Sequence, residues 1–130
     1  VVLNKNTFDI VTPPELLIPN NAVSKIVNDG KQNLWIVTKG GISKYKLKSK
    51  EVKVYTAALS NHFSLPENNV SDVIIDSNKD VWAATRKGLV KYIVSKDRFE
   101  LIRELKEVKD IWITSMVIDK DDNLWLNLNS

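Results

Sequence analysis

Val70-Ser71-Asp72-Val73-Ile74-Ile75-Asp76-Ser77-Asn78-Lys79-Asp80-Val81-Trp82-Ala83-Ala84-Thr85-Arg86-Lys87-Gly88-Leu89-Val90-Lys91-Tyr92 is the stretch on which the reading of this chain turns. Two short apolar runs, rich in β-branched residues, are separated by Ser-Asn-Lys-Asp, and Gly88 marks a second reversal before a third run. The pattern recurs upstream as Val23 to Asp29, a Gly30-Lys31-Gln32-Asn33 turn, Leu34-Trp35-Ile36-Val37-Thr38, Gly40-Gly41 and Ile42 to Tyr45. It recurs downstream as Ile113 to Asp119, Lys120-Asp121-Asp122-Asn123 and Leu124-Trp125-Leu126-Asn127-Leu128. In each copy Asp precedes Trp by six residues, and the Trp-to-Trp spacings are 47 and 43.

That period falls in the range of roughly 40–50 residues occupied by one four-stranded propeller blade. Helical repeats of similar length fit poorly, because no run keeps a 3.6-residue period and Gly, Asn and Asp interrupt every one. The expected fold is therefore all-β: part of a β-propeller of four-stranded antiparallel blades, with about two full blades and two partial ones. Strand A is expected at 23–28, 70–75 and 113–118, strand B at 34–38, 81–85 and 124–128, strand C at 42–47 and 89–94, and strand D at 52–56 and 99–102. All belong to one propeller domain, with 1–12 a trailing outer strand of a preceding blade, 13–57 and 58–103 two blades, and 104–130 the inner strands of a truncated blade. Residues 5–10 match 96–101 and 50–54 as strand-D segments. Strand A should be covered on both faces and strands C and D half-exposed, while Trp35, Trp82 and Trp125 share one core position. Each such ring needs a neighbouring sheet to hide against, so the expected partners are remaining blades of a longer parent chain or other copies of this chain.

The 130 residues carry a formal charge of +3, made mostly by lysines spread along the chain. No run of five like charges occurs, and a solvated surface fits better than a nucleic-acid site. Cysteine is absent, which removes disulfides, thiolate metal sites and thiol nucleophiles. No apolar stretch approaches the ~18 residues of a membrane span, and the first residues lack the features of a signal peptide.

The repeat Val-x-x-Ile-x-x-Asp-x-x-x-Asn-Leu-Trp-Ile-x-Thr-x-x-Gly-Leu-x-x-Tyr resembles the two-component regulator propeller repeat. Its first copy is carried by Asp29, Trp35, Gly41 and Tyr45, its second by Asp76, Trp82, Gly88 and Tyr92 with Leu65-Pro66 ahead of it, and its third by Asp119 and Trp125. The resemblance implies the periplasmic sensor region of hybrid two-component histidine kinases of Bacteroides-type bacteria, in which propellers respond to glycan fragments and signal through a membrane helix. Asp80, Ala83-Ala84 and Asn127 depart from the family pattern as packing variations.

Candidate chemistry is sparse. Asp119-Lys120-Asp121-Asp122-Asn123 opens like a calcium loop, but Leu124 stands where the sharp turn needs Gly and Ser130 where a bidentate Glu belongs, so it reads as a hairpin turn. The single histidine, His62, has no triad partner at an informative spacing. No phosphate loop or facing carboxylate pair is evident, and neither a metal nor another cofactor is expected. In a propeller the B-to-C and D-to-A connections share one end, which brings Trp112, Arg86, Lys39 and Lys87 to one rim together with Asn21, Asn69 and Asn127. An aromatic ring with basic and amide groups suits an oligosaccharide by stacking and charge-assisted hydrogen bonds. The expectation is a non-enzymatic ligand sensor; the alternatives are an interaction scaffold and, less well supported, a propeller lyase or hydrolase.

Overall fold

The computed structural model describes residues 2–11, 22–57, 65–105 and 111–129. Strands β3 (Val23–Asn28), β4 (Asn33–Thr38), β5 (Gly41–Lys46) and β6 (Val52–Tyr55) form one antiparallel four-stranded meander. A second comprises β7 (Val70–Ile75), β8 (Val81–Thr85), β9 (Gly88–Ile93) and β10 (Arg98–Leu101). Two hairpins flank these blades: β1 (Val2–Leu3) with β2 (Ile10–Val11), and β11 (Trp112–Ile118) with β12 (Leu124–Asn129). The expected all-β fold of antiparallel four-stranded blades is the observed one. Strand A of both full blades and strand B of the second have the expected bounds; the other strands differ by one residue at one or both ends.

Each A-to-B hairpin is closed by its aspartate. Asp29 accepts the backbone N–H of Lys31 (2.7 Å) and Asn33 (3.1 Å) on one oxygen, and the Asn33 amide (2.8 Å) and the Trp35 indole N–H (3.0 Å) on the other. Asp76 takes the N–H of Asn78 and Asp80 and the Trp82 indole; Asp119 takes those of Asp121 and Asn123 and the Trp125 indole. The six-residue spacing is thus a side-chain bond that fixes turn and ring together. The residue before the turn's last position has positive φ in all three copies: Gln32 (68°), Lys79 (67°) and Asp122 (66°). Strand A also carries the same bulge each time, where the register shifts at Val23/Lys25, Val70/Asp72 and Ile113/Ser115.

The sheets stack face to face. Trp35, Val37, Ile42 and Tyr55 of the first blade pack against Val73, Val81, Ala83, Val90, Tyr92 and Phe99 of the second. Behind the second blade, Trp82, Ala84 and Leu89 meet Ile113, Met116, Leu124 and Leu126. Trp35 and Trp82 each face the following sheet, so the three rings are not the equivalent core rings expected. Trp35 is 1% exposed, whereas Trp82 is half-buried and Trp125 is 66% exposed on the face that β11 and β12 leave open among the described residues. For the same reason β7 is largely buried, but Val23 and Ile26 of β3 are exposed, against the expectation that every strand A is covered twice.

Strand C differs too: residues 41–45 of β5 are buried, not half-exposed, because their lysine is drawn into the interface. Lys44, 8% exposed, pairs across the ladder with Trp35 and lies 5.6 Å from its ring centroid. Its ammonium donates to the Tyr92 hydroxyl (2.9 Å) and to Asp97 (3.2 Å). Asp97, at the left-handed end of the Val94–Lys96 3-10 turn, also accepts Lys53 and the hydroxyls of Tyr55 (2.6 Å) and Tyr92. One rim carboxylate so caps the aromatic cluster of Trp35, Tyr55, Tyr92 and Phe99. Burial pushes its pKa up, but the bonds from Lys53, Tyr55, Tyr92 and Lys44 outweigh that and hold it well below the usual carboxylate range.

The β1–β2 turn repeats the β5–β6 one: Asn4 N–H bonds Asp9 O and Phe8 N–H bonds Asn4 O, as Lys46 bonds Glu51 O and Lys50 bonds Lys46 O. Phe8 therefore occupies the left-handed position of Lys50 and Asp97, not the place of Phe99 that the sequence match gave it.

Three predictions follow from this packing. Asp97→Ala should lower the unfolding free energy by about 2 kcal/mol, because Lys44 is left buried without its charge partner, while Lys44→Met should change it by under ~1 kcal/mol; urea titrations of both variants decide this. At Gly41 (φ 126°) a Cβ would sit 2.3 Å from the Tyr55 carbonyl oxygen, so Gly41→Ala should cost about 3 kcal/mol, against roughly 1 for Gly30→Ala, whose Cβ meets only ordinary contacts. The pH profile of thermal unfolding tests the aspartates: Asp29, Asp76, Asp97 and Asp119 all have lowered pKa values. The Trp125 indole is the main cause at Asp119, which falls from 3.8 to about 2. Their stabilisation should be complete above the unfolded pKa and disappear as the pH falls through the folded values, so a Tm flat from pH 7 down to 2 would contradict it.

Candidate functional site

At the end of the sheets where strand B turns into strand C, threonine builds the turn. Thr38 Oγ1 accepts the N–H of Gly40 (3.0 Å) and donates to Gly41 O (3.4 Å). Thr85 Oγ1 accepts the N–H of Lys87 (3.1 Å) and donates to Gly88 O (2.8 Å). With the threonine buried and both backbone groups satisfied, the two residues between are pushed outward, so Lys39, Arg86 and Lys87 are exposed.

The same end receives the start of β11. Trp112 donates its indole N–H to Ser71 Oγ at 3.0 Å, and the Arg86 guanidinium carbon lies 4.4 Å from its ring centroid. Ser71 is the residue at the β7 bulge. At the equivalent positions Ser24 donates to Val37 O and Thr114 to Asn127 O, so a hydroxyl residue sits at all three bulges. Trp112 thus joins the third sheet to both β7 and the β8–β9 turn. The expected rim pair, Trp112 and Arg86, is brought into contact, with Lys87 next to it in the turn. Lys39 stands at the corresponding turn of the first blade. Asn69, just before β7, donates its backbone N–H to Glu67 (3.2 Å), Asn127 is exposed on β12, and Asn21 and His62 lie outside the described residues.

Chemically, a guanidinium stacked on an indole is preorganised, with N–H edges directed at planar carboxylates or vicinal hydroxyls. The ring itself is less free than the sequence implied: its N–H is engaged by Ser71 and Arg86 lies against it. The Asp119–Asn123 segment is the turn it was read as, with Asp119 engaged as above and Asp122 accepting the Ser77 N–H (3.2 Å) and hydroxyl (2.7 Å). Among the described residues no group of three His, Cys, Asp or Glu side chains is placed to hold a metal. The carboxylate that sequence reasoning missed is Asp97. Its partners lie 42 to 53 residues away for Tyr55, Lys53 and Lys44, and neither Lys50 nor Phe8, at the equivalent turn position, is acidic, so no repeat signal pointed to it.

A search of the curated proteins finds no match. Among solved structures, the extracellular domain of BT3049 from B. thetaiotaomicron, described as a hybrid two component system, superposes with a TM-score of 0.74 at 22% identity, over 97% of this chain and 16% of that one. The extracellular domain of BT4673 from the same organism, described in one structure as a one component system, gives 0.70 at 24% identity over 90% of this chain and 15% of that one. A second BT4673 structure, described as a hybrid two component system, gives 0.69 at 22% over the same shares. This chain therefore spans about a sixth of the length of the proteins whose fold it shares. The family model described as two component regulator propeller matches residues 64–87, which run from the approach to β7 through the β8–β9 turn. The segment that carries Asp76, Trp82 and Arg86 is thus similar to a two component regulator propeller repeat, set in a β-propeller fold.

Proposed function

We propose that this chain is part of the ligand-sensing propeller in the extracytoplasmic, periplasmic sensor region of a hybrid two-component regulator, responding to glycan fragments. The observation that carries the reading is that the family match ends at Lys87, in the turn where Arg86 stacks on Trp112. The repeat of a sensor family thus presents a cation–aromatic pair at its rim. Its role is non-enzymatic: binding at the rim biases the arrangement of the receptor, while the kinase and membrane-spanning parts belong elsewhere in the parent chain. The partners are the remaining blades of the parent propeller or other copies of this chain, supplying a sheet for the Trp125 face that stands open among the described residues.

A second reading, an interaction scaffold without a glycan site, is favoured by the engagement of Trp112 with Ser71, which makes the ring an inter-blade clamp. A thermal-shift screen of neutral and acidic oligosaccharides on the intact parent ectodomain separates the two. A ligand that raises Tm should lose about tenfold in affinity in Arg86→Ala, which removes one stacked, charge-assisted contact and leaves the Ser71 bond in place. No ligand in the screen, or binding indifferent to both Arg86→Ala and Trp112→Phe, favours the scaffold.

A further inference from the structure

Charge is distributed unevenly among the sheets. Residues 22–57, which hold the first blade, contain eight lysines against Asp29 and Glu51, an excess of six in a chain whose total is +3. Residues 65–105 carry seven basic and seven acidic side chains, and residues 111–129 one lysine and three aspartates. The basic excess therefore belongs to one sheet. Four of its lysines, Lys31, Lys46, Lys48 and Lys50, stand at the end opposite the Arg86 rim, where β3 turns into β4 and β5 into β6.

A surface cavity opens at that end between the two turns, lined by Lys31, Lys46, Lys48, Gln32, Asn33, Ser49 and Glu51. Its walls are tied together, because Leu47 donates its backbone N–H to Gln32 O at 2.9 Å. Lys31 and Lys48 are exposed. Lys46 bonds Glu51 at 3.0 Å, and Ser49 bonds the same carboxylate oxygen at 3.1 Å, which leaves the cavity with a surplus of positive charge. Lys79 of the second blade extends toward it: its Nζ lies 3.6 Å from where a Cβ on Gly30 would sit.

We propose that this cavity is a binding site for a polyanionic saccharide bearing sulfate or uronate groups. Several ammonium groups around a groove lined by amide and hydroxyl side chains match a chain of anionic groups interspersed with hydroxyls. Nucleic acid fits less well: residues 22–57 contain no arginine, and the rings beside these turns, Trp35, bonded to Asp29, and Tyr45, with Lys50 6.0 Å from its ring centroid, are buried and present no stacking platform. The site lies at the other end of the sheets from the Trp112 rim and does not depend on the sensor reading.

The test uses the full chain and two probes of equal charge, a heparin-derived octasaccharide and a single-stranded oligonucleotide, by calorimetry at low and moderate salt. Octasaccharide binding should weaken with salt and fall about thirtyfold in the Lys31→Gln/Lys46→Gln/Lys48→Gln triple variant, roughly threefold per lysine. Glu51→Gln, which removes the opposing charge, should strengthen it. The triple variant Lys96→Gln/Arg103→Gln/Lys120→Gln removes the same charge from the other sheets and should leave it unchanged. Equal losses in the two triple variants, absence of octasaccharide binding, or tighter binding of the oligonucleotide would each overturn the proposal. Circular dichroism melts of every variant separate lost binding from lost folding, and Glu51→Gln gives a gain that unfolding does not mimic.

Discussion

The structure depends on one bond made three times, from an indole N–H to the aspartate six residues before it. A carboxylate that also accepts two backbone N–H groups of its own turn closes the hairpin, sets a non-glycine residue in the left-handed region, and aims a large ring at the next sheet. The bond is local, so it forms whether or not the ring is covered. Trp125 keeps it while 66% exposed, and Trp35 keeps it at 1%. Turn formation and sheet stacking are therefore separable steps, the first encoded within about seven residues and the second demanding a partner sheet.

The two sheet interfaces use this shared scaffold differently. Between the first and second blades the aromatic cluster of Trp35, Tyr55, Tyr92 and Phe99 closes around Lys44, with ring centroids 4.8 to 5.9 Å apart, and Asp97 caps it. Between the second blade and β11–β12 the packing is smaller and aliphatic, with Trp82 covered on its other side by Lys91, 4.9 Å from its ring. Lys44 and Lys91 are the same repeat position, across the ladder from the tryptophan. One meets Tyr92 and Asp97 and is buried; the other reaches Asp80 at 2.8 Å and stays half-exposed.

Most of the architecture was legible because it is local. Turn chemistry, β-branched runs and the Trp period placed ten strands of the repeats to within a residue of their bounds, and the shared end of the B-to-C turns brought Arg86 and Trp112 together on paper as in space. What was not legible is whatever depends on which sheet lies next to which. Strand C looked half-exposed because Ser43 and Lys44 are polar, yet both are buried, Lys44 at the blade interface. The bulge hydroxyls Ser24, Ser71 and Thr114 share a repeat position, a signal that was present in the alignment but has no meaning until the register shift is seen. The first blade's charge excess was hidden because lysines alternate with apolar residues and never form a run.

Asp72 stands at the β7 bulge, where one oxygen takes the Lys25 ammonium from β3 at 2.5 Å and the other the Met116 backbone N–H from β11 at 2.8 Å. Apolar contact resists the parting of two sheets but hardly their slippage, since one methyl group slides past another at little expense. A carboxylate engaged on both sides is directional, so it pins three successive innermost strands at one common height. The vertical alignment of the inner strands is thereby set by a polar side chain, and the greasy surfaces around it determine how closely the layers approach.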